Sequence, residues 1–79
     1  MPRDIHWRGS AWRLLLELPE QLRRDALSAV GALMAAPLPP EAAPYAPVPD
    51  TYRLDTGYVT VFYRLVGDEI DIVYIRANS

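Results

Sequence analysis

The residues of this chain that could do chemistry are few, and most of them are arginines. All eight basic residues are Arg, His6 is the single histidine, and there is no cysteine. A lone histidine with no second histidine, cysteine or close carboxylate cluster reads as a polar strand residue, so no metal site is expected. Glu17, Glu20, Asp68, Glu69 and Asp71 fall where helix caps, turns and cross-strand pairs favour negative charge. Gly9, Gly31, Gly57 and Gly67 are scattered and make no phosphate-cradling loop. What remains is a group in the last third of the chain: Arg53, Arg64 and Arg76 with Tyr52, Tyr58 and Phe62. Guanidiniums can hold a phosphate and stabilise charge building on it. The aromatic rings could stack on bases or anchor a partner peptide.

Charge weighs on that choice. The formal net charge is −2, whereas nucleic-acid binders draw most of their non-specific affinity from a basic excess. Direct nucleic-acid binding is therefore expected to be weak or absent, and the rings are read as anchors for a protein partner. At 79 residues the chain makes one domain, residues 1–79, with no disulfide to support it. Stability must come from burial, and 51% hydrophobic residues supply an adequate core. No apolar run nears the roughly 20 residues that span a bilayer. No signal-peptide apolar region opens the sequence either, so a cytoplasmic location is the expectation. No cofactor is expected.

The elements that must position these residues follow from periodicity. Residues 3–7 suit a short first strand, with Ile5 and Trp7 on one face and His6 on the other. Gly9-Ser10 is a break and N-cap for a helix over 11–18, with Trp12, Leu15, Leu16 and Leu18 as its apolar stripe. Pro19 suits the first turn of a second helix, which runs to about Ala35. Leu22, Ala26, Ala29, Val30, Leu33 and Met34 form its buried face. With so short a link, the two helices should pair as an antiparallel hairpin. Residues 37–49 hold six of the eight prolines, a density that predicts a stiff loop without regular structure.

Tyr52 to Asp55, Tyr58 to Leu65 and Ile70 to Ile75 read as strands. A two-residue Gly67-Asp68 turn pairs Val66 with Glu69, Arg64 with Asp71, and Phe62 with Val73. Val59, Val61, Tyr63, Leu65, Ile70, Ile72 and Tyr74 then share the helix-covered face. Tyr58, Thr60, Phe62, Arg64, Asp71, Val73 and Ile75 share the open one. This half-apolar open face, with Tyr52 and Arg53 beside it, is the candidate binding surface. The same register sets Arg64 and Arg76 on opposite faces and gives Arg64 an ion pair with Asp71.

The ordered set of segments resembles the RelE/ParE superfamily of bacterial toxins. Trp12 to Ala35, with Leu18-Pro19-Glu20-Gln21-Leu22-Arg23-Arg24 opening the second helix, carries part of the likeness. Tyr52-Arg53-Leu54-Asp55, Gly57, Val59 to Leu65, Gly67-Asp68-Glu69 and Ile70 to Arg76 carry the rest. The resemblance implies an α+β domain: an N-terminal strand and a two-helix hairpin on an antiparallel sheet of three to four strands. It also implies a growth-inhibiting toxin of a toxin–antitoxin pair, neutralised by a small antitoxin that wraps it. Within the family, RelE-like members cut messenger RNA on the ribosome and ParE-like members inhibit gyrase.

Matched residue by residue, Arg53 keeps the first arginine of the family's Tyr-Arg-Leu-Arg motif, but Asp55 replaces the second. The strand arginine that meets phosphate falls at Thr60. Arg64 and Arg76 fit framework positions, and the basic tail with a catalytic His, Tyr or Arg has no match after Ala77. Arg53 and Arg76 are the remaining candidates for catalysis. The expectation is a toxin that acts by binding protein, either its antitoxin or a target such as gyrase. A ribosome-dependent endoribonuclease and a non-toxic interaction protein stay open as alternatives.

Overall fold

The computed structural model describes residues 4–78, so Arg3, at the expected start of the first strand, lies outside the described residues. Strand β1 (Asp4–Trp7) leads into helices α1 (Gly9–Glu17) and α2 (Glu20–Ala35). Four strands follow: β2 (Ala42–Pro44), β3 (Thr51–Asp55), β4 (Val59–Val66) and β5 (Glu69–Ala77). They form one five-stranded sheet in the order β1-β5-β4-β3-β2. The α+β architecture is the expected one. The sheet is wider than expected and mixed, because β1 pairs parallel to β5 while its other pairings are antiparallel.

The extra strand comes from the proline-dense segment. Ala42, Ala43 and Pro44 pair with Leu54, Arg53 and Tyr52, so the expectation of no regular structure between 37 and 49 fails. It fails for a physical reason. Proline is excluded from central strands by its missing N–H, but an edge strand needs a ladder on one side only. β2 is such an edge, and its proline also discourages further strand addition.

Both helices pack on one face of the sheet, α1 against β5 and α2 against β4 and β5. Val59, Val61 and Tyr63 of β4 and Ile70, Ile72 and Ile75 of β5 form the sheet side of the core. Ala11, Leu15, Ala26, Val30 and Leu33 form the helix side. Each large aliphatic group buried here stabilises the fold by about 1.5–3 kcal/mol. The helix stripes are narrower than the sequence suggested. Trp12 (45% exposed), Leu16 and Met34 stay largely in solvent, because the sheet accepts only one ridge from each helix. Trp12 instead sets its ring edge-on to Trp7, 5.5 Å away.

Helix α1 starts two residues earlier than expected, with Arg8 as the N-cap residue and no side-chain cap bond. Pro19 sits at the N-cap of α2. A local network then fixes the β3–β4 turn. The Thr56 hydroxyl contacts the Asp25 carboxylate of α2 and accepts from the backbone N–H of Tyr58 and Val59. Gly57 takes a φ of 99°, open to glycine and poorly to other residues. Among the described residues, no helix is long and apolar enough to cross a membrane.

Candidate functional site

The β4–β5 register follows the sequence reading as far as Tyr63 opposite Ile72 and then departs from it. A β-bulge lies there, with Phe62 opposite Tyr74 rather than Val73. Val73 is the extra residue, and a bulge of this kind re-aims every side chain beyond it. The consequence is an exchange of faces. Ile75, expected on the open face, is 1% exposed in the core, and Tyr74, expected in the core, is 47% exposed on the open face. Arg76 now lies opposite Thr60 and shares the open face with Arg64. The expectation that Arg64 and Arg76 point to opposite sides is therefore overturned by one inserted residue.

A cleft of about 440 Å³ occupies this face. Its cationic groups are Arg8, Arg64 and Arg76. Its rings are Tyr45, Phe62 and Tyr74, and Val48, Thr51 and Val73 complete the lining. The rings form a continuous row. Tyr45 meets Phe62 edge-on at 5.2 Å, and Phe62 meets Tyr74 at 5.8 Å. The Arg76 guanidinium carbon lies over the Phe62 ring at 5.7 Å, within cation–π range.

Charge in the cleft is set by one ion pair that the sequence assigned differently. Asp71 binds Arg8, not its cross-strand neighbour Arg64. Both the Nε and an Nη of Arg8 reach Asp71 Oδ2 at 3.1 Å. Asp71 is 9% exposed, and Arg8 neutralises its carboxylate there. Arg64 keeps a buried Nε with no hydrogen-bond partner among the described residues, and Asp71 Oδ1 is likewise unpartnered. A buried guanidinium N–H without an acceptor is costly, and it is the guanidinium's other N–H groups that an anion in the cleft would meet.

The other expected site residues fall elsewhere. Thr60 is buried and donates to Asn78 Oδ1 at 2.9 Å, while Asn78 Nδ2 donates to Asp55 Oδ1 at 2.9 Å. The two positions where the family pattern places cations thus serve here to pin the end of the chain to the sheet. Tyr52 lies on the helix side, its ring 5.7 Å from that of Tyr63. Arg53 is exposed opposite Phe62 but outside the cleft lining. Tyr58 lies beside α2, near Gln21, Leu22, Arg24 and Asp25. His6 is aligned with Asp71 at the sheet edge and does not line the cleft.

Of the expected residues, Phe62, Arg64, Val73 and Arg76 converge. Arg8, Tyr45, Val48, Thr51 and Tyr74 were missed. Arg8 carried a faint signal, since it follows the strand and precedes the helix break. Tyr45 carried none beyond being the sole ring in the proline segment.

No family model matches the chain, and no curated protein sequence matches it. Among solved structures it is similar to the crystal structure of the toxin–antitoxin complex RelBE2 from Mycobacterium tuberculosis. The match has a TM-score of 0.82 and covers 99% of this chain and 100% of that one, at 20% sequence identity. In its sheet and helices, this chain has the fold of the RelE/ParE-type toxins.

Proposed function

We propose that this chain is the toxin of a toxin–antitoxin pair and that it acts through the open-face cleft by gripping the backbone of single-stranded RNA. The observation that carries this reading is the convergence of Arg8, Arg64 and Arg76 beside a row of aromatic rings. The net charge of −2 argues against a general pull on RNA, but a bound strand meets local charge. The three charged residues lining the cleft are all arginines, and the nearby Asp71 carboxylate is paired with Arg8.

Among its described lining residues the cleft has no histidine and no carboxylate. Its chemistry would therefore be positioning and charge stabilisation, to which RNA brings its own nucleophile, the 2′-hydroxyl. An antitoxin partner is supported by the apolar groups left exposed on the helices, namely Trp12, Leu16, Leu27 and Met34.

Induced expression in a bacterial host, with primer extension on translated messenger, tests this reading. Growth arrest with new cleavage ends that vanish in Arg64→Gln and Arg76→Gln is the expected result. The second reading, action by binding a protein such as gyrase, is favoured by the net charge of −2. It predicts arrest with intact messenger. Unimpaired growth would remove the toxin assignment altogether.

A further inference from the structure

We propose that the proline-dense segment 37–49 supplies a base-reading wall to the cleft, with Tyr45 as its specificity-determining residue for an unpaired purine. This inference rests on the RNA reading of the cleft and deepens it. The first observation is how firmly the segment is held. The Tyr45 N–H donates to the Thr51 carbonyl at 2.8 Å, and the Val48 N–H donates to the Tyr45 carbonyl at 3.1 Å. Further back, the Ala42 N–H reaches the Pro39 carbonyl at 2.9 Å, and the Tyr63 hydroxyl donates to the Pro37 carbonyl at 2.6 Å. Prolines reduce the freedom of the unfolded chain, so this placement costs less entropy than an ordinary loop of equal length.

The second observation is what the placement achieves. Tyr45 extends the ring row of Phe62 and Tyr74 from the sheet onto the loop. Three rings in sequence exceed what an acidic peptide needs from a site whose recognition would be carboxylate on guanidinium. They suit a ligand that alternates flat apolar faces with negative charges, which is single-stranded nucleic acid. The charges match: the guanidiniums of Arg8, Arg64 and Arg76 line the cleft, and planar guanidiniums bind phosphate in two-point fashion. Stacking on aromatic rings tolerates every base, and the larger π-surface of a purine gives it the modest advantage that the proposal assigns to Tyr45.

The test is binding of fluorescein-labelled hexa-adenylate, hexa-uridylate and an abasic ribose-phosphate hexamer to the purified chain at fixed salt. Wild type is expected to bind them in that order. Tyr45→Leu, which keeps the apolar volume, should lose roughly tenfold on hexa-adenylate and leave the abasic hexamer unchanged. Tyr45→Phe should restore the preference. Arg64→Gln should weaken all three alike and lower the salt slope by about one. A Tyr45→Leu variant that keeps the adenylate preference overturns the wall while leaving the grip intact, as does equal wild-type binding of all three. A wild type that binds none of them, or is displaced equally well by oligoglutamate, overturns the RNA reading and this inference with it.

Discussion

The two faces of this sheet are built from the same strands by opposite rules. On the helix side, Val59, Val61, Tyr63, Ile70, Ile72 and Ile75 are almost wholly excluded from solvent. Polar chemistry there is limited to single satisfied groups such as the Tyr63 hydroxyl on the Pro37 carbonyl. On the open side, the same β4 and β5 carry Phe62, Arg64, Val73, Tyr74 and Arg76, with buried polar atoms left unpartnered. A face that must only exclude water satisfies every group. A face that leaves a buried guanidinium N–H unpaired gives up stability. The difference separates the part of the molecule that holds the fold from the part proposed to act.

Substitutions that damage one face and spare the other should sharpen this contrast. The largest effect is expected from Ile72→Ala, which opens a cavity beneath β5 and should cost about 2–5 kcal/mol in denaturant unfolding. Messenger cleavage by the folded fraction should persist at low temperature. Next comes Arg76→Gln. Removing one charge-stabilising group should lower cleavage about 100-fold or more with an unfolding midpoint close to wild type. A large loss of stability in this variant would mean that Arg76 belongs to the framework.

Tyr63→Phe should cost about 1 kcal/mol, the net value of one buried hydrogen bond. The same residue gives a pH dependence. Burial, with a smaller contribution from Tyr52, pushes its phenol up from 10.0 to about 12. The fold therefore holds this proton more tightly than the unfolded chain does. Its contribution is complete below pH 10 and falls as pH rises toward about 12. Alkaline melting curves should flatten over that window in Tyr63→Phe. At the small end, Arg24→Ala breaks the exposed i,i+4 pair with Glu20 and should change stability by less than about 0.5 kcal/mol.

A separate probe concerns the bulge. Deleting Val73 leaves Tyr74 opposite Phe62 and Arg76 opposite Thr60, so the faces should remain as they are. The variant should fold, and its melting temperature and cleavage together report whether the bulge is needed for twist or only for length.

Local pattern was enough to reveal the helices, the three C-terminal strands, the Gly67-Asp68 turn and the register up to Tyr63. Period and turn chemistry are written in neighbouring residues and need no distant partner. The place of Phe62, Arg64 and Val73 on the open face was legible for the same reason, by simple alternation. Beyond Tyr63 alternation fails. One unpaired residue reverses every later assignment, and nothing in Ile72-Val73-Tyr74-Ile75 marks which residue is extra. Burial against the helices made that choice, because Ile75 stabilises the core more than Tyr74 would. Only the tertiary structure could bring in Arg8 and Tyr45, which lie far from Arg76 along the chain and reach the cleft through a parallel edge strand and a proline-bearing one. Sequence dictated the strands, while packing decided which side each arginine serves.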